Sequence, residues 1–381
     1  MNLSDSQFYV ARCPVHFSHE ESSLSVLVQQ WLSAYQDHRC VIITDDTVAQ
    51  LYASSLQSAI QSVGQSCHVV SFPAGEVYKT RETKAILEDQ LLALGCTRKT
   101  VVIACGGGVV LDMAGFIAAT CLRGVPCFYL PTSLLAMVDA AIGGKTAVNT
   151  PQGKNLIGTF TQPQAVGVHT GFLSTLPVTE CWAGWSEMIK HAFIKDVTLL
   201  DDLEMLANRL WAHQSIDPAV WLRSIRASVE IKARVVQADE REQHGERQVL
   251  NYGHTVAHAI ESQSGYRISH GDAVRAGLWV ESYLSYLLHG LSEPDWQRIQ
   301  QIISLAPAVS IQSWSDQQWD ACVARMFCDK KSQRHEIRCV LIQALGVVSP
   351  QDHQWTVAID QSVMRQACQA YAKEFSCYPV L

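Results

Sequence analysis

The sequence predicts an α/β domain built on a parallel sheet, followed by a mostly helical domain. Three observations carry this. The chain has 381 residues, more than one hydrophobic core usually serves. Its first half alternates short β-rich runs with helical patterns, which implies parallel strands wrapped by helices. After about Pro177, amphipathic helical patterns follow one another and strand signals nearly vanish. The expected domains are therefore 1–177 and 178–381.

In chain order, "CVIITD" (40–45), "CHVVSFPAGE" (67–76), "TVVIACGGG" (100–108) and "VPCFYLPT" (125–132) read as buried strands. Between the first three lie "TVAQLYASSLQSAIQSVG" and "TRETKAILEDQLLALG". Both carry apolar residues at helical spacing and stop at a glycine. Beyond the boundary, "ECWAGWSEMIKHAFIKD", "AVWLRSIRASVEIKARVVQAD", "LNYGHTVAHAIESQSG" and "GDAVRAGLWVESYLSYLLHG" read as helices. A late strand signal, "IRCVLIQALG", closes the pattern.

Composition narrows the function classes. A 48% hydrophobic and 17% charged chain has an ample core. Its net charge of -7 argues against a nucleic-acid footprint, which would need a clustered basic excess. No apolar run approaches the roughly 20 residues of a spanning helix. The first residues lack a basic start followed by an apolar stretch, so a cytoplasmic chain without a membrane partner is expected. The 13 cysteines form no C-x-x-C pair and several sit in apolar runs. They read as buried small hydrophobes in a reducing compartment.

"GGGVVLDMAGF" leaves a strand and opens a helix. Gly106, Gly107 and Gly108 let a ligand approach the backbone, and the helix N-terminus offers free N–H donors. That combination suits a pyrophosphate. Polar groups follow other strands: Asp45, then Glu76 and Lys79, then Thr132, Ser133, Asp139 and Lys145. Ligands of open α/β sheets bind at such strand ends. The glycine-punctuated stretch "GGKTAVNTPQGKNLIG" adds Lys154 and Asn155; it is not a Walker A motif but suits an anion.

His254 and His258 stand four apart on a helical pattern and share one face. The motif lacks the glutamate of the metalloprotease signature. His270, read as lying in a loop before "GDAV", completes a possible metal site with a carboxylate from elsewhere. Glu187 is the best candidate, because an unpaired carboxylate on its apolar helix would be costly. Spacing leaves open which of His254 and His258 takes the metal.

The segments "PAGEVYKT", "GGGVVLDMAGF", "LRGV", "PTSLLAMVD", "GGKTAVNTPQGKNLIG", "AGWSEMIKHAF", "LNYGHTVAHAIE", "HGDAV" and "DKK" occur in this order, across about residues 40 to 345. Together they resemble the 3-dehydroquinate synthases, within the sugar phosphate cyclases. The resemblance implies a Rossmann-like dinucleotide-binding domain and a helical metal-binding domain. It implies Glu187, His254 and His270 as ligands of a zinc or cobalt ion. NAD would face Asp45, Glu76, Lys79, Gly107, Gly108, Val109, Asp112, Thr132, Ser133, Asp139, Lys145, Lys154, Phe172 and Thr175. His258, Lys145, Lys190, Lys232, Arg247 and Asn251 would be catalytic. Arg123, Asn155, Lys330 and Lys331 would bind a phosphorylated sugar acid, with Arg123 reaching across a homodimer interface. The implied reaction is transient oxidation by NAD, β-elimination of phosphate, return of the hydride, ring opening and intramolecular aldol closure.

The chain departs from the family pattern at Leu111, His169, Glu246, Ala257 and Asp272, and has one extra residue before "LNYGH". Two rival readings are an inosose- or valiolone-forming cyclase and a metal-dependent polyol dehydrogenase. "GGKTAVN", Asn251 and His258 speak against the first, and the phosphate-gripping lysines against the second.

Overall fold

The computed structural model describes residues 7–309, 311, 314–327 and 336–375. They divide into two compact units, 1–181 with 218–229, and 182–217 with 230–381.

The first unit holds a seven-stranded sheet. Its strands are β1 (Gln7–Val10), β2 (Cys13–Ser18), β3 (Arg39–Asp45), β4 (Cys67–Phe72), β5 (Thr100–Gly106), β6 (Cys127–Pro131) and β9 (Ala165–His169). Their order is β1-β2-β9-β6-β5-β3-β4, parallel throughout except for the antiparallel edge pair β1–β2. All seven residues of β5 are buried, as a strand covered on both faces requires. The crossovers are α1 (Glu21–Leu32), the short α2 (Asp46–Val48), α3 (Ser54–Gln61), α4 (Arg81–Ala93) and α5 (Gly108–Thr120). From β3 the chain runs outward to β4, then returns to β5 on the other side of β3. The strand order therefore reverses between β3 and β5, which is where an open α/β sheet forms its ligand crevice.

The stretch containing Lys145 and Lys154 is an antiparallel hairpin, β7 (Lys145–Thr150) and β8 (Gly153–Phe160), rather than irregular chain. Gly115 on α5 makes room for it: a Cβ there would collide with the Tyr129 hydroxyl and meet Thr146 Cγ2 at 2.6 Å.

The second unit is helical, as the sequence predicts. It contains most of α6 (Val178–Lys195), then α7 (Leu199–Trp211) and the end of α8 (Pro218–Ala238). Further on come α9 (His254–Gln263), α10 (His270–Leu288), α11 (Glu293–Ser304), α12 (Asp316–Phe327) and α13 (Gln361–Phe375). One small pair, β10 (Ile337–Cys339) and β11 (Val357–Ile359), realises the late strand signal. No helix among the described residues is long and apolar enough to cross a membrane.

His270 is the first residue of α10, which corrects its reading as a loop residue. Ser269 caps the helix: its hydroxyl accepts the Asp272 N–H at 3.2 Å and donates to the Asp272 carboxylate at 2.7 Å. The start of α9 has no such local cap, because Gly253 precedes it at φ +80°. Glu281 of α10 serves instead, accepting the Gly253 N–H at 2.9 Å and the Val256 N–H at 3.5 Å. Burial drives the Glu281 pKa up to about 8, against the pull of those N–H groups.

Gly253 also sits tightly, since a Cβ there would lie 2.9 Å from the Leu278 backbone nitrogen. We expect Gly253→Ala to destabilise the protein by roughly 1–3 kcal/mol, from the left-handed backbone and the collision together. Thermal unfolding checks this, and an unchanged melting temperature would refute it.

Candidate active site

In the first unit, part of the expected cofactor set comes together between the loop after β4, helix α5 and the hairpin β7–β8. Gly107 caps α5 in an extended conformation, and no side chain caps that helix. A Cβ on Gly108 would press on Ala140 Cβ at 3.2 Å, so the turn is built tightly. Val109 follows in the first turn of α5, partly buried.

Lys79, only 4% exposed, is the hub of this group. Its ammonium pairs with Asp112 and donates to Asn155 Oδ1 at 2.6 Å. Burial lifts the Asp112 pKa above the usual carboxylate range, against the pull of Lys79. Asn155 holds φ 54°. Asn149, which sequence reasoning did not single out, ties the group together. It donates to Glu76 at 2.8 Å and accepts the Asn155 N–H at 3.1 Å. A polar residue ending the apolar run "TAV" was its only sequence signal.

Other expected cofactor residues are dispersed. Ser133 Oγ accepts the Ala136 N–H at 3.2 Å, and Thr132 is buried with its N–H on Gly106. Asp139 lies on the helical turn Ala136–Ala140, partly buried. Lys145 is exposed and Lys154 half-buried, on the two hairpin strands. Asp45 spends an oxygen capping α2 through the Val48 N–H at 2.9 Å. Phe172 packs edge-on against Tyr52 and His169, with ring centres 4.8 and 5.2 Å away, and the Thr175 hydroxyl meets that of Tyr52. Arg123 is exposed on a turn where both it and Leu122 are left-handed, at φ 70° and 56°.

The second unit buries the Glu187 carboxylate against a lysine and two imidazoles. Glu187 and Lys190 share a face of α6, and the Lys190 ammonium contacts Glu187 Oε2. Glu187 Oε1 lies 3.4 Å from His254 Nε2 and 3.4 Å from His270 Nε2. Burial opposes its charge, yet Lys190 and His254 hold its pKa well below the usual range. Burial and Lys190 lower the His254 pKa. Burial would lower His270 too, but Glu187 and Glu261 outweigh it and raise the ring to about 10.

The ligand atoms of Glu187, His254 and His270 all lie within 4.8 Å of one another. Among the described residues, neither Glu187 oxygen receives a hydrogen bond of normal geometry, although both are buried. One carboxylate whose buried oxygens are left unsatisfied, converging with two imidazole nitrogens, fits a divalent cation of the zinc type. His258 is exposed, with its ring centre 5.5 Å from that of His254 and 6.5 Å from that of His270.

Lys232 on α8 and Arg247 are buried, and Asn251 ends the helical turn before Tyr252. Arg247 donates to the Glu240 carbonyl, while Asp239 accepts the Gln243 N–H at 2.7 Å and the His244 N–H at 3.2 Å to shape the loop. Lys330 and Lys331 lie outside the described residues.

A parallel sheet with a glycine turn at its switch point, and a helical unit burying a carboxylate between two imidazoles, define a two-part enzyme fold. It is similar to a solved 2-deoxy-scyllo-inosose synthase with carbaglucose-6-phosphate, NAD+ and Co2+, at a TM-score of 0.84 and 23% identity over 96% of this chain and 99% of that one. It is also similar to the 2-epi-5-epi-valiolone synthase of Streptomyces hygroscopicus with NAD+ and Zn2+, at 0.80 and 25% over 96% and 98%. Within that class, the chain belongs to the 3-dehydroquinate synthase family, whose N-terminal and C-terminal models match residues 69–183 and 184–332. The 3-dehydroquinate synthase of Nitrosomonas europaea is 40% identical over 348 residues, 87% of this chain and 91% of that one. That of Salinibacter ruber is 41% identical over 333 residues, covering 87% and 88%.

Proposed function

We propose that the chain converts 3-deoxy-D-arabino-heptulosonate 7-phosphate to 3-dehydroquinate and phosphate, as a 3-dehydroquinate synthase of the shikimate pathway. The observation that carries this is the buried donor set, Glu187 between His254 and His270, in a chain matching the family across both halves. Solved relatives hold NAD+ with Co2+ or Zn2+, and we assign both kinds of group to this chain. When bound, NAD would take and later return a hydride, and the cation would polarise the substrate hydroxyl.

The chain's residues then divide the work. Residues 1–177 would bind NAD, with Gly107 and Gly108 under the pyrophosphate and Lys79, Asp112 and Glu76 bracing the surrounding loops. Residues 178–381 would hold the cation through Glu187, His254 and His270. We assign proton transfer near the phosphate to His258, an exposed ring one turn from His254. Lys145, Asn155, Lys190, Lys232, Arg247 and Asn251 would grip the substrate's phosphate, carboxylate and hydroxyls, with the Lys330/Lys331 pair and a partner subunit's Arg123 completing the set. A homodimer in the cytoplasm follows from this reading. All the described cysteines are free and buried, in keeping with a reducing compartment.

The test is product identification by NMR after incubation with the seven-carbon substrate and trace NAD. We expect many turnovers of phosphate release with no lasting rise in nicotinamide absorbance. Build-up of NADH in step with substrate would favour a simple dehydrogenase and overturn the reading.

A further inference from the structure

Glu261 is a buried carboxylate to which the scheme above gives no part. It lies on α9 seven residues after His254, so the two share a helix face. Its side chain is 3% exposed, and Oε2 is 3.4 Å from His270 Nδ1. The opposite ring nitrogen, Nε2, is 3.4 Å from Glu187 Oε1. One imidazole thus bridges two buried carboxylates through its two nitrogens. His254 is held differently, with Nδ1 3.2 Å from the Tyr252 carbonyl oxygen and Nε2 toward Glu187.

We propose that Glu261 is a positioning residue for the metal ligand His270. By accepting the Nδ1–H, it fixes the tautomer in which Nε2 carries the lone pair, and it orients that lone pair toward Glu187 and His254. The Tyr252 carbonyl does the same for His254. Each imidazole is thereby presented through Nε2, one steered by backbone and the other by a charged side chain. The proposal rests on the reading that a divalent cation sits at Glu187, His254 and His270.

The experiment uses the full chain with Co2+ alone, without NAD or substrate. Affinity is measured by chelator competition, and ligand geometry by the visible cobalt spectrum. Glu261→Gln keeps the shape but not the charge, and should weaken Co2+ binding about tenfold to a hundredfold, with an altered spectrum. Wild-type affinity and spectrum in that variant would overturn the proposal while leaving the metal site standing. A second measurement needs no variant. In Zn2+-loaded protein with 15N-labelled histidine, the His270 ring should carry its proton on Nδ1 and the metal on Nε2. The opposite tautomer would overturn the proposal as well. If wild-type protein binds no Co2+, or binds it equally well after His254→Ala, the metal reading itself falls, and this proposal with it.

Discussion

Replacing His254 by alanine should strip the protein of its divalent cation and abolish phosphate release, whereas His258→Ala should keep the cation and lose rate. The two rings stand one helical turn apart, and sequence spacing does not separate them. The geometry favours His254 as the ligand: its Nε2 lies 3.4 Å from Glu187, within the cluster that also contains His270. His258 is turned to solvent at the edge of that cluster. A catalytic zinc-type site typically rests on three protein ligands, so losing one of the proposed three should cost the ion. Removing a general acid or base costs about 100-fold to 10,000-fold in rate. Metal content per subunit and phosphate release, measured on both variants and on chelated wild type, decide the matter. Metal loss from the His258 variant would reverse the assignment.

The parts of the fold that were readable from sequence are those with a strong local signal. β3 and β5 are runs of apolar residues buried on both faces, and the helices between them stop at glycines. The edge hairpin β1–β2 was not readable. Its two-residue turn places Ala11 and Arg12 at φ 45° and 75°, without the asparagine or glycine that normally marks such a turn. β9 is short and contains Gly167, where Leu27 and Trp31 of α1 approach to 2.8 Å of a would-be Cβ. That glycine serves packing and weakens the strand signal. The hairpin β7–β8 hid behind its own glycines.

The candidate site divides the same way. Glu187 stood out because a carboxylate on an apolar helix needs a partner. Glu261 and Glu281 did not, since each sits among ordinary helical residues and acquires its purpose from another helix. Glu261 reaches His270 at the start of α10, and Glu281 reaches the N-terminus of α9. The S-x-x-D box at Ser269 was legible, and reading it would have put His270 on the helix.

Arg247→Ala should lower kcat/KM by roughly tenfold to a hundredfold or more, while Glu246→Leu should change little. Arg247 is 2% exposed, and its guanidinium already holds the Glu240 carbonyl within a loop shaped by Asp239. A buried, pre-oriented guanidinium is suited to a phosphate, because few rotamers are lost when the anion arrives. Hydrogen bonds to charged groups contribute about 1.5–3 kcal/mol each. At about 1.4 kcal/mol per decade, losing one gives about tenfold to a hundredfold, and losing two gives more. Glu246 is half-buried beside it, where the family resemblance leads us to expect an apolar residue. A carboxylate turned toward a dianionic phosphate would be repelled, so we expect it to point away. The assay is phosphate release from 3-deoxy-D-arabino-heptulosonate 7-phosphate, with sedoheptulose 7-phosphate and glucose 6-phosphate alongside. Thermal melts of both variants separate loss of grip from loss of fold. Should Glu246→Leu alter kcat/KM as much as Arg247→Ala, the acidic neighbour is acting on the guanidinium and the outward placement is wrong. Preference of the wild type for either other sugar phosphate would leave the cyclase fold standing and overturn the substrate assignment.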